Sequence, residues 1–124
     1  MPVALIVGAG IGGLSAGIAL RRAGWDIRIF ERTSAPRELG FGLGLAANAI
    51  AALRELDVAD AVLSQGVTPT AGEIRYLDGR VIRRFAGRAD ARPRGNLPRV
   101  ILRPVLHGGL LAALDPAVVE VNRA

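Results

Sequence analysis

Three glycines and one carboxylate carry the spacing in this sequence that points to chemistry. Gly8, Gly10 and Gly13 stand in "GAGIGG" in the pattern GxGxxG, and Glu31 stands in "IFER" about 20 residues further on. The three glycines suit different roles. Gly8 makes a tight turn, Gly10 lets backbone approach a pyrophosphate, and Gly13 lets a helix pack closely on a strand. A helix opening after Gly10 would present the amides of Ile11, Gly12 and Gly13 and the positive end of its dipole, which together make an anion site. A carboxylate at position 31 can accept hydrogen bonds from both ribose hydroxyls of an adenosine and repels a 2′-phosphate, favouring FAD or NAD over NADP. Glycine-rich turns are common, so the glycines alone are a weak signal, and Glu31 is what lifts them.

The elements around these residues must place them. The opening "VALIVGAGIGGLSAGIAL" has three readings: a secretory leader, a buried apolar helix, or a strand delivering a nucleotide onto a helix. No basic residue precedes Arg21, which argues against a leader. Five glycines interrupt the run at about 1 kcal/mol each in a helix interior, which argues against a membrane span or one long helix. The remaining reading is a central parallel strand over Val3 to Val7, a helix from Ile11 to Ala23 stopped by Gly24, and a second strand in "WDIRIFER" with Glu31 at its end. Leu14, Ala16, Gly17 and Ile18 are expected to face the sheet, and Trp25 to pack at the start of the second strand.

Residues 33–47 read as a loop in which Gly40, Gly42 and Gly44 alternate with apolar residues, bringing backbone close to something flat or bulky. A helix is expected over 48–66. "GEIRYLDGRVIRRF" reads as two alternating strands around Asp78-Gly79, a type I′ hairpin signal. Residues 86–98 are loop by their Gly, Pro and Asn content. Arg103 then opens a helix to about Leu114, where the dipole disfavours a cation unless an anion such as a phosphate accompanies it. The lone His107 on that helix reads as a satisfied or exposed histidine rather than a catalytic base. "AVVEVNRA" reads as one more strand.

The GxGxxG turn, "ER" closing the second strand, "GFGLGLAANAIAAL" and "VILRPVLHGGLLAAL", in that order, resemble the N-terminal third of the FAD-dependent aromatic-ring hydroxylases, the single-component flavoprotein monooxygenases. The resemblance covers essentially the whole chain. It implies that the glycine turn and Glu31 hold the ADP half of FAD with Arg32 beside them, that Gly42 and Gly44 run near the flavin, and that Arg103 contacts the cofactor. It also implies that NAD(P)H reduces the flavin and that one oxygen atom of dioxygen passes to an aromatic or similar small organic substrate. Two positions depart from the pattern: Ala47 stands where Pro is usual and Asp57 where Gly is usual, so the local turns are in question. Neither a metal ligand set nor a catalytic acid or base is assigned. Another FAD-dependent oxidoreductase of the same fold (a halogenase, amine oxidase or reductase) and a truncated, non-catalytic nucleotide-binding piece are the alternatives.

Composition is consistent with this. The 124 residues are 51% hydrophobic but only 4% aromatic, as buried alpha/beta layers require. A chain of this length buries roughly 65% of its unfolded surface and makes one core. The net charge is +5, yet all 16 basic residues are Arg, which reads as the codon bias of a GC-rich genome rather than a nucleic-acid footprint. The densest basic run, Arg83 to Arg99, lacks an interleaved stacking aromatic other than Phe85 and reads as a solvated hairpin end and loop. No cysteine is present, which fits a reducing cytoplasm, and neither nucleic acid nor membrane is an expected partner.

The expected architecture is thus α/β, a Rossmann-like FAD-binding βαβ unit with an inserted antiparallel β-hairpin, incomplete relative to the family fold. Residues 1–124 would form the N-terminal portion of an FAD-binding domain, with the hairpin at about 72–86 starting the substrate-side layer. The later Asp-Gly and Gly-Asp segments of that family have no counterpart here. The "VALIV" strand would lack a neighbour on its far side, so association through that edge and poor solubility of the isolated chain are expected.

Overall fold

The structure, a computed structural model, describes residues 1–34, 41–86 and 97–123. Val3–Val7 (β1), Ile11–Arg22 (α1) and Asp26–Phe30 (β2) form the expected strand, turn, helix and strand, with β1 and β2 parallel and Val3 opposite Asp26. Ala23 caps α1 and Gly24 follows at φ +84, its N–H donating to the Arg21 carbonyl while that of Trp25 donates to Leu20. This pair of bonds is a Schellman ending, which needs a left-handed residue at the glycine position. Leu14, Gly17 and Ile18 are the buried face of α1, whereas Ala16 is exposed. A Cβ at Gly17 would lie 3.0 Å from Cδ1 of Ile29, so the close approach of helix to strand uses Gly17 and leaves Ala16 outside. Trp25 is held by its backbone bond, and more than a third of its surface is open to solvent rather than packed.

Gly42–Leu45 (β3) is a strand where the glycines suggest loop. The helix expected over 48–66 is divided into Ala47–Glu55 (α2) and Ala59–Leu63 (α3). The break is a second Schellman ending: Asp57 donates to Arg54, Val58 donates to Leu53, and Asp57 takes φ 62. Asp57 therefore occupies the left-handed position at which glycine carries no Cβ penalty, and asparagine and aspartate are the usual tolerated exceptions.

Ala71–Arg75 (β4) and Val81–Ala86 (β5) form the expected antiparallel hairpin, but its tip is not a type I′ turn. Only Gly79 among the tip residues has positive φ, at +87, and its N–H donates to the Tyr76 carbonyl while Tyr76 N–H donates to Arg80. Leu77, Asp78 and Gly79 thus make a three-residue turn ending in a left-handed glycine bulge. Asp78 favours this arrangement by accepting from both the backbone and the guanidinium of Arg80. The hairpin exposes Ile74, Tyr76, Leu77, Ile82 and Phe85, with Arg80 stacked over Tyr76 and Arg83 over Phe85. Most of the expected loop, residues 87–96, lies outside the described residues, and so do Arg88, Arg92 and Arg94.

Arg99–Leu102 (β6), not expected as a strand, pairs antiparallel with β3, Gly42 facing Leu102 and Leu45 facing Arg99. Arg103–Ala112 (α4) follows directly, with Pro in its first turn, where a missing N–H has no consequence. After a 3-10 turn at Pro116–Val118, Val119–Glu120 (β7) runs parallel to β2, a two-residue strand in place of the longer one expected. Among the described residues the sheet order β1-β2-β7 puts β1 at an edge, as expected. One face of this sheet carries α1, while on the other Val3, Leu5 and Val7 are 55%, 65% and 90% exposed. The most enclosed side chains, Leu14, Ile29, Ile50, Val62 and Leu110, tie α1, β2, α2, α3 and α4 into one core. No described helix is long and apolar enough to cross a membrane.

Candidate functional site at the glycine turn

Between β1 and α1 the chain turns at Gly8, whose φ of +96 requires glycine and whose N–H donates to the Phe30 carbonyl at 2.7 Å. Gly10 caps α1 in ordinary extended backbone, φ −75 and ψ −179, with no side chain bonding the first turn. Its place in the sequence therefore does not rest on an unusual φ, and a bare backbone at the helix start is what remains to explain it. The amides of Ile11, Gly12 and Gly13 have no intrahelical partner by position and stand at the positive end of α1. At Gly13 a Cβ would overlap the carbonyl oxygen of Gly8, so this glycine fixes how closely α1 follows the turn. A Cβ at Gly12 would meet nothing within 4 Å, and packing within the chain does not account for it.

Glu31, at the end of β2, is brought against the same turn. One carboxylate oxygen accepts from Ala9 N–H at 2.9 Å and the other from the N–H and hydroxyl of Thr33, each at 3.0 Å. The Thr33 and Ala9 amides, in that order, hold the carboxyl below its usual value, so it is an anion at neutral pH. Its backbone is clasped as well: Glu31 N–H donates to Glu120 at 2.8 Å and its carbonyl accepts from Arg123 N–H at 2.9 Å. On β2, Arg28 bonds the Glu120 carboxylate at 2.9 Å from Nε, although the two are 92 residues apart. Arg32 follows Glu31 and is exposed. A ribose reaching Glu31 would share its acceptor capacity with the Thr33 hydroxyl, the one donor of the three that rotates freely.

A second group assembles where β3 meets β6. Gly42 and Gly44 lie two apart on one face of β3 and are exposed. A Cβ at Gly44 would meet nothing within 4 Å, and one at Gly42 only ordinary contacts, with Val100 Cγ1 at 3.6 Å and the Ile101 carbonyl oxygen at 3.7 Å. The glycines therefore leave a strip of bare backbone open to a flat partner. Arg103, exposed at the start of α4, donates its N–H to the Phe41 carbonyl at 3.2 Å and so stands next to that strip. Gly40 lies outside the described residues.

One residue links the two groups. His107 is 4% exposed and places Nε2 2.7 Å from the Ala9 carbonyl oxygen. It lies four residues after Arg103, on the same side of α4. It is satisfied, as expected, but that its partner belongs to the glycine turn was not legible from the sequence. The available signal was a single polar residue on the apolar stripe of Leu106, Leu110 and Leu114, one turn from Arg103. Among the described residues, no three His, Asp or Glu converge as a metal site would require. The arrangement can hold a dinucleotide, with an anion at the helix start, a carboxylate for a ribose, and bare backbone with a cation further along.

Known proteins can be set beside this geometry. The family model described as FAD binding domain matches residues 1–108. The aurachin C monooxygenase/isomerase of Stigmatella aurantiaca is 45% identical over 78 residues, covering 63% of this chain and 20% of its own length. The 3-amino-4-hydroxybenzoate 2-monooxygenase of Streptomyces cremeus is 35% identical over 121 residues, 96% of this chain and 31% of that protein. Among solved structures, the tetrameric form of 2-methyl-3-hydroxypyridine-5-carboxylic acid oxygenase superposes with a TM-score of 0.81 at 29% identity, over 98% of this chain and 32% of the other. The chain thus spans between a fifth and a third of the length of these proteins.

Proposed function

The chain belongs to the FAD binding domain family, and from that premise we propose that it forms the cofactor-holding part of a flavoprotein monooxygenase that uses NAD(P)H and dioxygen to hydroxylate an aromatic or similar organic substrate. The observation that carries this reading is the bond from Ala9 N–H to Glu31, which brings a ribose-type carboxylate against a pyrophosphate-type turn from 22 residues away. The fit to FAD is supported by three further features: a helix start without a side-chain cap, a Gly13 that admits no Cβ, and the bare strip at Gly42 and Gly44. Bound FAD supplies the redox chemistry, carrying reducing equivalents from the nicotinamide donor to dioxygen.

This chain's residues bind and orient the cofactor. Gly8, Gly10 and the amides of Ile11, Gly12 and Gly13 receive the pyrophosphate, and Glu31, with Arg32 beside it, receives the adenosine ribose. Gly42 and Gly44 border the flavin side, where Arg103 faces an anionic part of the cofactor. The aromatic substrate class follows the hydroxybenzoate and hydroxypyridine named for the relatives. Titration of FAD against Gly10→Val and Glu31→Ala variants tests the reading. Each is expected to weaken binding by about tenfold or more, the worth of one charge-assisted hydrogen bond or of a blocked phosphate approach. Unchanged affinity in both variants removes the proposed site.

A further inference from the structure

We propose that His107 is a positioning residue for the pyrophosphate turn: it fixes the orientation of the Ala9–Gly10 peptide and so aims the Gly10 N–H at the phosphate side. The proposal rests on the FAD-binding reading and extends it to a residue on a different element. Ala9 is buried, and its two backbone groups are held by residues 22 and 98 positions away. Its N–H donates to Glu31, and its carbonyl oxygen lies 2.7 Å from Nε2 of His107. A carbonyl cannot donate, so Nε2 carries the proton and the imidazole is the donor.

The described peptides include no cis bond, so the Ala9–Gly10 unit is trans and its N–H points opposite to its carbonyl. With the carbonyl drawn toward α4, the Gly10 N–H is turned away from α4. Glycine at position 10 makes this peptide easy to rotate, because no Cβ resists the flipped orientation. A flip would withdraw one donor and present carbonyl lone pairs to an anion. A donor on the carbonyl also polarises the same peptide and strengthens its N–H as a donor. Because His107 and Arg103 share one side of α4, the bond also sets the distance between the glycine turn and the start of that helix.

Binding of ADP, adenosine and FAD to the full chain, measured by calorimetry for the parent, His107→Leu and His107→Gln, tests this. Gln can present an amide nitrogen at nearly the reach of Nε2, whereas Leu fills the space without a donor. His107→Leu is expected to bind ADP and FAD about tenfold more weakly, with adenosine unchanged and His107→Gln within about threefold of the parent. If Leu prevents folding, His107→Asn replaces it: its amide falls one bond short, and it is expected to lose ADP affinity while Gln keeps it. Equal loss of ADP and adenosine affinity, or no loss in either donor-deficient variant, overturns the proposal. Glu31→Ala and Gly10→Val are run alongside. If they weaken ADP binding and the histidine variants do not, the positioning role fails and the site stands. If they too are without effect, the site itself fails.

Discussion

Two turns in this chain are built from the same parts, a glycine at positive φ and a carboxylate that accepts backbone N–H groups, yet they are tied differently. At the hairpin tip, Asp78 takes both of its donors from Arg80, two residues away. At the helix start, Glu31 takes two donors from Thr33 and a third from Ala9, and Ala9 is held again by His107. The hairpin tip is closed by its neighbours in sequence and can form by itself. The glycine turn is closed only when β2, α4 and the segment after β7 are in place. A local turn ends a strand, whereas a turn tied to three distant elements holds its backbone amides to fixed positions, as an anion site requires.

The harshest way to break the contrast is Gly13→Ala. Its methyl group would overlap the Gly8 carbonyl oxygen, a backbone atom that cannot swing aside, so a loss of about 3 kcal/mol in stability is expected, together with loss of FAD binding. Chemical denaturation and FAD titration read the two effects, and a stable variant that binds normally would show the contact to be unimportant.

An intermediate test uses pH. Both carboxyls sit below their usual values, Glu31 through the Thr33 and Ala9 amides and Asp78 through the Arg80 guanidinium and amide. A lowered folded-state value means that each contribution is complete above the ordinary carboxylate range and is lost as pH falls through the folded value. Glu31→Gln should therefore differ from the parent in thermal stability and FAD affinity at neutral pH, with the difference shrinking on acidification. Asp78→Asn should leave FAD affinity alone at every pH. A pH-independent gap between Glu31→Gln and the parent would contradict the assignment.

The smallest effect is expected at Gly79→Ala. Forcing a Cβ at φ +87 costs about 1 kcal/mol, and that cost should stay in the hairpin. Amide hydrogen exchange should quicken in β4 and β5 while the α1 amides and FAD affinity remain at parent values. Faster exchange in α1 would mean that the two regions are coupled after all.

The same division explains what was legible. Strand, turn, helix and strand around Glu31 can be read because each signal is local: a run of Val, Leu and Ile, glycines at fixed offsets, a glycine stop. Gly42–Leu45 reads as loop because glycine disfavours strand conformation, and its partner β6 lies beyond a Gly- and Pro-rich stretch. The division of α2 from α3 is hidden because Asp57 occupies a position that glycine would have announced. At Asp78-Gly79 the dipeptide marks the turn but not its type, which the Arg80 bonds decide. His107 was beyond reach because its contact with Ala9 spans 98 residues. The residues of the two candidate groups were visible one by one, and the link between the groups was not.

The clasp on Glu31 bears on the order in which contacts can form during synthesis. Its backbone is pinned by Glu120 and Arg123, which a ribosome adds long after β1, α1 and β2 have been made. The nascent chain can form its first strand and helix early, since those contacts are short in range. The Glu31 backbone stays unclasped until the last of these residues has emerged and a loop of this span has closed. The glycine turn therefore reaches its full set of bonds as a late and collective event, well after its own strand and helix have formed.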